Sequence, residues 1–215
     1  MKIKGAVFDF DGTLFDSMWV WENIDVTFLA RYNQVPDQEI RESLKELSVL
    51  MSARLFKEKF GLTRSVEEII LEFGEIAGER HQNDILPKPY VIDFLEILKA
   101  NHIPMCIATA SIKNNVTAAL KRTDMLSYFD FIISGDEMKS GKDNPEIYLI
   151  CAEKMNQNPR DVFVFEDALH AIKTAKTAGF VTVGVYDQFA EDQTDAIKKE
   201  CHYYLKDFSE TEILF

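Results

Sequence analysis

The sequence predicts an α/β protein in which a parallel sheet carries helices on both faces and a helical domain is inserted after the first strand. Three observations favour this fold class. Five short runs are almost continuously apolar, as in strands that are buried on both faces. Amphipathic helical patterns separate most of these runs. Residues 17–86 contain helical patterns but no convincing strand.

The five predicted strands lie on both sides of the insertion along the chain. They are IKGAVFDF (3–10), PMCIATA (104–110), FDFIIS (129–134), VFVFED (162–167) and VTVGVYD (181–187). Between them, apolar residues recur at the helical spacing i, i+3, i+4, i+7, as at Val91, Phe94, Leu95 and Leu98. A later helical pattern ends near Gly179, a residue type that commonly terminates helices.

The insertion is predicted to be a helical cap on the sheet. Its helical patterns lie in WVWENIDVTFLARYN, EIRESLKELSVLMSARLFKEKFGL and SVEEIILEFGEIAGERHQ. Pro87 and Pro89 resist helix formation and indicate the return to the sheet. We therefore predict an α/β core formed by residues 1–16 and 87–215, and a helical cap formed by residues 17–86.

Composition and charge exclude several functional classes. The net charge of −12 over 215 residues argues against a nucleic-acid surface, because phosphate backbones are bound by basic patches. Three widely separated cysteines without CxxC spacing favour neither a disulfide framework nor a zinc site. The first residues do not resemble a signal peptide, and no apolar stretch approaches the length of a membrane span. We expect a cytoplasmic monomer that binds neither nucleic acid nor membranes.

Polar side chains follow four of the predicted strands at the point where each strand ends. They are Asp9, Asp11 and Thr13 after the first strand, with Gly12 between the last two, Thr109 and Ser111 after the second, Lys142 after the third, and Glu166 and Asp167 at the end of the fourth. Parallel sheets bind ligands outside the carboxyl ends of their strands, so these side chains are expected to meet in one site.

The acids of this site favour a divalent cation, because unpaired carboxylates so close together would raise each other's pKa. Oxygen ligands favour Mg²⁺, which keeps several waters and pairs with substrate phosphate. Asp9, at the end of a strand, is the candidate nucleophile that would form an aspartyl-phosphate. Asp11, on the same side of an extended chain, is the candidate group that protonates the leaving oxygen and then activates water.

The remaining polar groups are expected to hold the phosphate of a substrate. Thr109 would supply a hydrogen bond and Lys142 a positive charge to the phosphate oxygens. Gly12 permits a tight turn whose backbone N–H groups face the phosphate. Together with Ala110, which follows Thr109, these residues form the predicted phosphate site.

The motifs, in this order, resemble those of the haloacid dehalogenase superfamily, in particular its helical-cap phosphatases and β-phosphoglucomutase-like enzymes. DFDGTLFDS resembles the first motif, IATAS the second, GKDNPEIYL the third and VFEDALHAI the fourth. The resemblance implies a Rossmann-like sheet and Mg²⁺, with Asp9 as nucleophile and metal ligand. Asp11 would be the acid/base and would bind the metal through its backbone carbonyl. Asp167 would be the third protein ligand, with Glu166 binding the ion directly or lying just behind the ligands.

Some positions depart from the family's pattern. Ala168 and Ala171 stand where Ser and Gly are frequent, Asp143 follows the lysine in place of Pro, and Tyr90 replaces a common Gly where the cap rejoins the core. The two alanines are expected to affect helix packing beside the metal site rather than the chemistry.

The family members differ in reaction, and the sequence favours a phosphatase. True dehalogenases usually lack the second acid, which is present here as Asp11. β-Phosphoglucomutases usually carry a histidine at the position of Trp21 and a G-x-S-R segment in the cap, where this chain has Ser52 and Arg54 but no glycine. We predict a phosphatase of a small phosphorylated metabolite, preferably a sugar phosphate. A phosphosugar mutase is the alternative, and a non-catalytic protein that binds a phosphorylated ligand is the lesser one.

Other residues of the cap and core have simpler interpretations. Trp19 and Trp21 would either form an apolar wall for the substrate or pack the cap against the core. Arg80 and His81, near the end of the cap, are expected at the surface. His170 is expected to point along its helix rather than to bind the metal.

Overall fold

The structure is a computed structural model that describes residues 3–21, 24–44, 47, 49–138 and 141–214. Its strands are β1 (Gly5–Phe8), β2 (Phe15–Asp16), β3 (Leu86–Pro87), β4 (Met105–Thr109), β5 (Phe131–Ser134), β6 (Val162–Glu166), β7 (Val181–Val185) and β8 (Tyr203–Leu205).

Ten α-helices are present in the described ranges. They are α1 (Met18–Trp21), α2 (Ile24–Ala30), α3 (Gln38–Leu44), α4 (Val49–Lys59), α5 (Val66–Asn83), α6 (Val91–Ala100), α7 (Lys113–Arg122), α8 (Glu146–Lys154), α9 (Leu169–Thr177) and α10 (Thr194–Glu200). None of them is long and apolar enough to cross a membrane. The cytoplasmic location, the monomeric state and the lack of nucleic-acid or membrane partners stay predictions.

Six strands form one parallel sheet in the order β5-β4-β1-β6-β7-β8. The chain passes from β1 through β4 to one edge, then returns to β6 and continues to the other edge. The order therefore reverses beside β1, which in open α/β sheets is where ligands bind. The predicted fold class is confirmed, with five predicted strands found as β1, β4, β5, β6 and β7.

The apolar runs are continuous because both faces of the sheet are covered. In β1, Phe8 lies on one face and stacks on Phe165 of the neighbouring strand at 4.5 Å between ring centroids. Val7 points to the opposite face, where it packs with Val164 and Cys106. All five side chains are fully buried. A strand with one face in water would show alternation instead.

The chain leaves and rejoins the sheet through a short antiparallel pair, β2 with β3, in which Phe15 pairs with Pro87. Between these two strands lie α1 to α5, which we call the helical segment. It has an apolar cluster of its own, in which Phe28 stacks on Phe56 and meets Phe73 edge to face. Trp21 packs against both this cluster and the sheet cluster, which favours the packing interpretation of that residue. The division into core and cap domains stays a prediction.

The return of the chain to the sheet is anchored by Lys88. Its backbone N–H donates to the Leu14 carbonyl at 2.9 Å, and its ammonium group pairs with Asp187 at 2.8 Å. Tyr90, two residues on, has a φ of 63°, in the left-handed region that favours glycine. The backbone conformation at this position therefore favours glycine. Tyr90 adopts it instead, with its side chain exposed.

Candidate active site

The candidate site lies where β1 and β6 end side by side. Phe8 is in register with Phe165, and the Asp9 N–H donates to the Phe165 carbonyl at 3.0 Å. Asp9 therefore lies next to Glu166 across the two strands. This is the place in the sheet where the strand order reverses.

Three carboxylates meet at this position. Oxygens of Asp9, Glu166 and Asp167 lie within 4.8 Å of one another, and all three residues are buried. Burial raises the pKa of Asp167 to about 7, and the charges of Glu166 and Asp187 act in the same direction. Burial also raises the pKa of Asp9 well above its usual range, although Lys142 opposes this effect. The charged forms of these acids are therefore unfavourable unless a cation offsets them.

Lys142 supplies part of that countercharge. Its Nζ contacts Asp9 Oδ1 and lies 2.6 Å from Glu166 Oε1, and its side chain is only 8% exposed. Burial lowers the pKa of Lys142, but the charges of Asp9 and Glu166 raise it by more, so the pKa is raised overall. The residue is ionised and adjacent to the carboxylate predicted to be the nucleophile.

The donor set fits a hard divalent cation. Glu166 Oε1 is engaged by Lys142 and by the Tyr148 hydroxyl at 2.8 Å, whereas Glu166 Oε2 is buried without a hydrogen-bond partner in the described part of the chain. An orphaned buried carboxylate oxygen is costly unless an ion or water meets it. The ligand atoms of the cluster are all oxygen, which suits Mg²⁺. These residues could therefore hold a metal ion.

Gly12 brings the backbone close to this cluster. Its φ is 77°, and a Cβ at this position would lie 2.3 Å from Asp167 Oδ2. The next residue, Thr13, donates its hydroxyl to Asp167 Oδ1 at 3.3 Å. The turn after β1 therefore requires glycine both for its conformation and for space, and it fixes the position of Asp167.

Asp11 lies beside the acid cluster with its carboxylate bound by three side chains. They are the hydroxyls of Ser17 and Ser111 and the imidazole of His81, whose Nε2 is 2.6 Å from Asp11 Oδ1. Burial raises the pKa of Asp11, but the charge and hydrogen bonds of His81 and the two serines outweigh it, so the pKa is lowered. Burial lowers the pKa of His81, but Asp11 raises it by more.

The expectation that His81 lies at the surface is wrong, because its residue exposure is 1%. Its neighbour Arg80 is exposed, as expected. His170 is half-buried on α9, and the described acid cluster does not include it. No role was predicted for several residues that contact the site or its neighbours: Ser17, His81, Tyr148 and the Lys88–Asp187 pair. Ser111 was expected in the site but without a role.

Thr109 and Ala110 follow β4, next to β1. The Thr109 hydroxyl is buried and accepts the backbone N–H of Ser111 at 2.9 Å, and Ser111 in turn binds Asp11. Ala110 is half-buried, and its carbonyl would lie 2.8 Å from a Cβ on Gly135. The loops after β4 and β5 are thus closely packed. The roles of Thr109, Ala110, Gly12 and Lys142 toward phosphate stay predictions.

The raised pKa of Asp167 predicts how the metal-free protein responds to pH. Its folded-state pKa of about 7 exceeds the unfolded value, so the folded state binds more protons between about pH 4 and 7. Stability from this group is present below that window and lost as pH rises through it. In chelator, we expect the melting temperature to fall by about 5 °C or more from pH 5 to pH 8.

A matched variant isolates this effect from other titrating groups. Asp167→Asn removes the titration, so its melting temperature in chelator should change less between pH 5 and pH 8 than that of the wild-type protein. Added Mg²⁺ should restore stability at pH 8 in the wild-type protein and much less in the variant. An identical pH dependence in the two proteins would contradict the raised pKa.

The sequence and fold resemble those of known proteins. A sequence model of haloacid dehalogenase-like hydrolases matches residues 6–185. The phosphorylated carbohydrates phosphatase of Thermotoga maritima is 27% identical over 177 residues, which cover 82% of each chain. The fructose-1-phosphate phosphatase YqaB of Escherichia coli strain K12 is 28% identical over 200 residues, covering 86% of this chain and 97% of that protein.

A solved structure extends the likeness to the fold of the whole chain. The β-phosphoglucomutase pgmB of Clostridium difficile superposes with a TM-score of 0.77 at 23% identity, covering 99% of this chain and 95% of that one. At this identity the likeness concerns the fold alone. The match of the family model over most of the chain carries the assignment: the protein belongs to the haloacid dehalogenase-like hydrolase family, as its motifs predict.

Proposed function

We propose that this hydrolase is a Mg²⁺-dependent phosphatase of a small phosphorylated metabolite, preferably a sugar phosphate, and that it acts through an aspartyl-phosphate. The observation that carries the proposal is one buried cluster in which Asp9 lies beside Lys142, Glu166 and Asp167. The names of the two phosphatases above, which act on phosphorylated carbohydrates and fructose 1-phosphate, support the substrate class.

In the first half-reaction, a carboxylate oxygen of Asp9 attacks phosphorus and the bond from phosphorus to the leaving oxygen breaks. Lys142 favours the ionised form of Asp9 before attack and interacts with the phosphate oxygens as charge shifts onto them. Asp11 gives a proton to the leaving oxygen. Because its contacts with His81 and the two serines favour the carboxylate in the free protein, Asp11 must take up this proton as substrate binds. The product alcohol then departs, and the phosphoryl group remains on Asp9 as an acyl phosphate.

In the second half-reaction, Asp11, now a carboxylate, takes a proton from water as the water oxygen attacks phosphorus. The acyl phosphate bond breaks and the carboxylate of Asp9 is restored. Mg²⁺, held by Asp9, Asp167 and the Asp11 carbonyl with Glu166 at or behind it, would offset the negative charge of the phosphate and the acids.

The proposal is tested by measuring phosphate release from p-nitrophenyl phosphate and a panel of phosphorylated metabolites. We expect turnover with Mg²⁺, little in chelator, and the highest kcat/KM for a small sugar phosphate. Absence of turnover from every phosphomonoester, together with retained binding of phosphorylated ligands, would favour the non-catalytic alternative. Interconversion of hexose phosphates that depends on a bisphosphate activator would favour the mutase.

A further inference from the structure

His81 lies in the last turn of α5 with its imidazole buried. Its Nδ1 is 3.1 Å from the carbonyl oxygen of Ala77. Because a carbonyl oxygen only accepts hydrogen bonds, Nδ1 is the donor in this contact. The other nitrogen, Nε2, faces Asp11 Oδ1 at 2.6 Å. The rings of Phe10 and Trp21 pack beside the imidazole and limit its rotation.

The Asp11 carboxylate has a partner on each oxygen. Oδ1 accepts the Ser17 hydroxyl at 2.6 Å as well as His81, and Oδ2 accepts the Ser111 hydroxyl. The three partners come from different parts of the chain: the entry to the helical segment, its last helix, and the loop after β4. Contacts on both oxygens restrict the carboxylate to one orientation.

The helix that carries His81, α5, packs closely against α7. A Cβ on Gly74 would lie 2.0 Å from Ile112 Cδ1, and one on Gly78 would lie 2.9 Å from Asn115 Nδ2. The absence of side chains at both glycines lets α5 approach α7 closely. Asn115 Nδ2 also donates to the Gly74 carbonyl at 2.9 Å. This packing holds the turn that carries the imidazole against α7, the helix that follows β4.

We infer that His81 is a positioning residue for Asp11, holding its carboxylate where it can transfer protons to the leaving oxygen and from water. This inference rests on the proposed phosphatase function. Without the contact from His81, rotation of the Asp11 side chain has fewer restraints and the carboxylate is less often aligned for proton transfer. Substrate binding is affected little, because the other groups of the site are unchanged.

Two amide substitutions separate this role from a general effect on packing. His81→Gln retains a side-chain N–H that can reach Asp11, whereas the side chain of His81→Asn is one methylene shorter and does not. For an alkyl phosphate, we expect His81→Asn to lower kcat on the order of 10²-fold with KM within about threefold of wild type. His81→Gln should recover most of that loss.

Comparing two leaving groups separates a loss of acid catalysis from damage to the fold, because damage to the fold would slow the release of both. The nitrophenolate leaving group needs no proton, so loss of acid catalysis should spare its release. With p-nitrophenyl phosphate, His81→Asn should therefore give a burst of nitrophenolate at close to the wild-type rate. Steady-state turnover after the burst should be slower, because attack by water still needs Asp11 as base.

The matched control is His102→Asn, since His102 is an exposed histidine with a φ of 54°, which asparagine tolerates. It should match wild type with both substrates. Equal rates for His81→Asn and His81→Gln on the alkyl phosphate would overturn this inference and leave the proposed function intact. Equal loss of the burst and of steady-state turnover in His81→Asn would also overturn it. Absence of turnover in the wild-type protein would contradict the proposed function and this inference with it.

Discussion

Asp9→Asn is expected to lower turnover of every substrate by about 10⁴-fold or more and to abolish the phosphoenzyme. The amide is a much weaker nucleophile than the carboxylate, although it occupies the same space beside β6. The measurement is rapid quenching after mixing with a substrate labelled in its phosphate. Label bound to the wild-type protein should be released by hydroxylamine, as expected for an acyl phosphate, and label should be absent from the variant.

The loss should reflect chemistry, because the fold is expected to tolerate this change. Burial raises the pKa of Asp9, and the charges of Glu166 and Asp167 add to that effect, so a neutral side chain relieves repulsion. Lys142 keeps its partner Glu166 at 2.6 Å. The variant should therefore melt in chelator at the wild-type temperature or above it.

Asp16→Asn is the matched control for the nucleophile, since Asp16 lies in the short strand β2 with its side chain exposed. It should retain wild-type turnover and the labelled phosphoenzyme. Substantial activity in Asp9→Asn would remove Asp9 from the role of nucleophile. An equal loss in the two variants would show that the assay does not report on the acid cluster.

The meeting of Asp9 and Glu166 was predictable because it follows from the parallel sheet. Two apolar runs each end in acids, and parallel pairing places Phe8 beside Phe165, so the acids that follow must meet. The sixth strand, β8, was not predicted, because a strand is recognised in the sequence by a run of buried apolar residues. β8 is three residues long and its first two residues are only half-buried, so its pattern resembles that of a loop.

The contact between His81 and Asp11 was not predictable from the polar pattern, because the two residues are 70 positions apart. A weaker indication was present in the sequence. Gly74, Ala77 and Gly78 lie seven, four and three residues before His81, and therefore on one helical face. Small residues at this spacing allow close helix packing, so this face, and the histidine on it, are buried. Arg80, on another face, is exposed.

The largest effect on stability is expected from Lys142→Met in the absence of metal. The change leaves the buried carboxylates of Asp9, Glu166 and Asp167 without the cation that pairs with two of them. Removing one partner of a buried ion pair costs about 3–5 kcal/mol. We expect a loss of that order in the free energy of unfolding at pH 8 in chelator, measured by urea denaturation.

The pH dependence identifies the cause of that loss. The folded-state pKa of Lys142 is raised above its unfolded value of about 10.4, so the group is ionised in both states from pH 5 to pH 8 and its own titration adds no pH dependence there. The acids change over that range, because Asp167 has a pKa of about 7 and ionises within it. The difference between wild type and Lys142→Met should therefore be smaller at pH 5 than at pH 8.

Lys4→Met is the matched control, because Lys4 pairs with Asp161 at 2.9 Å on the surface, where its side chain is 54% exposed. Its cost should stay within about 1 kcal/mol at either pH. Mg²⁺ should recover part of the stability of Lys142→Met, since the cation offsets the same carboxylates, but it should not restore turnover, because no ammonium group then contacts Asp9. A cost for Lys142→Met no greater than that for Lys4→Met would show that Lys142 does not neutralise the acid cluster.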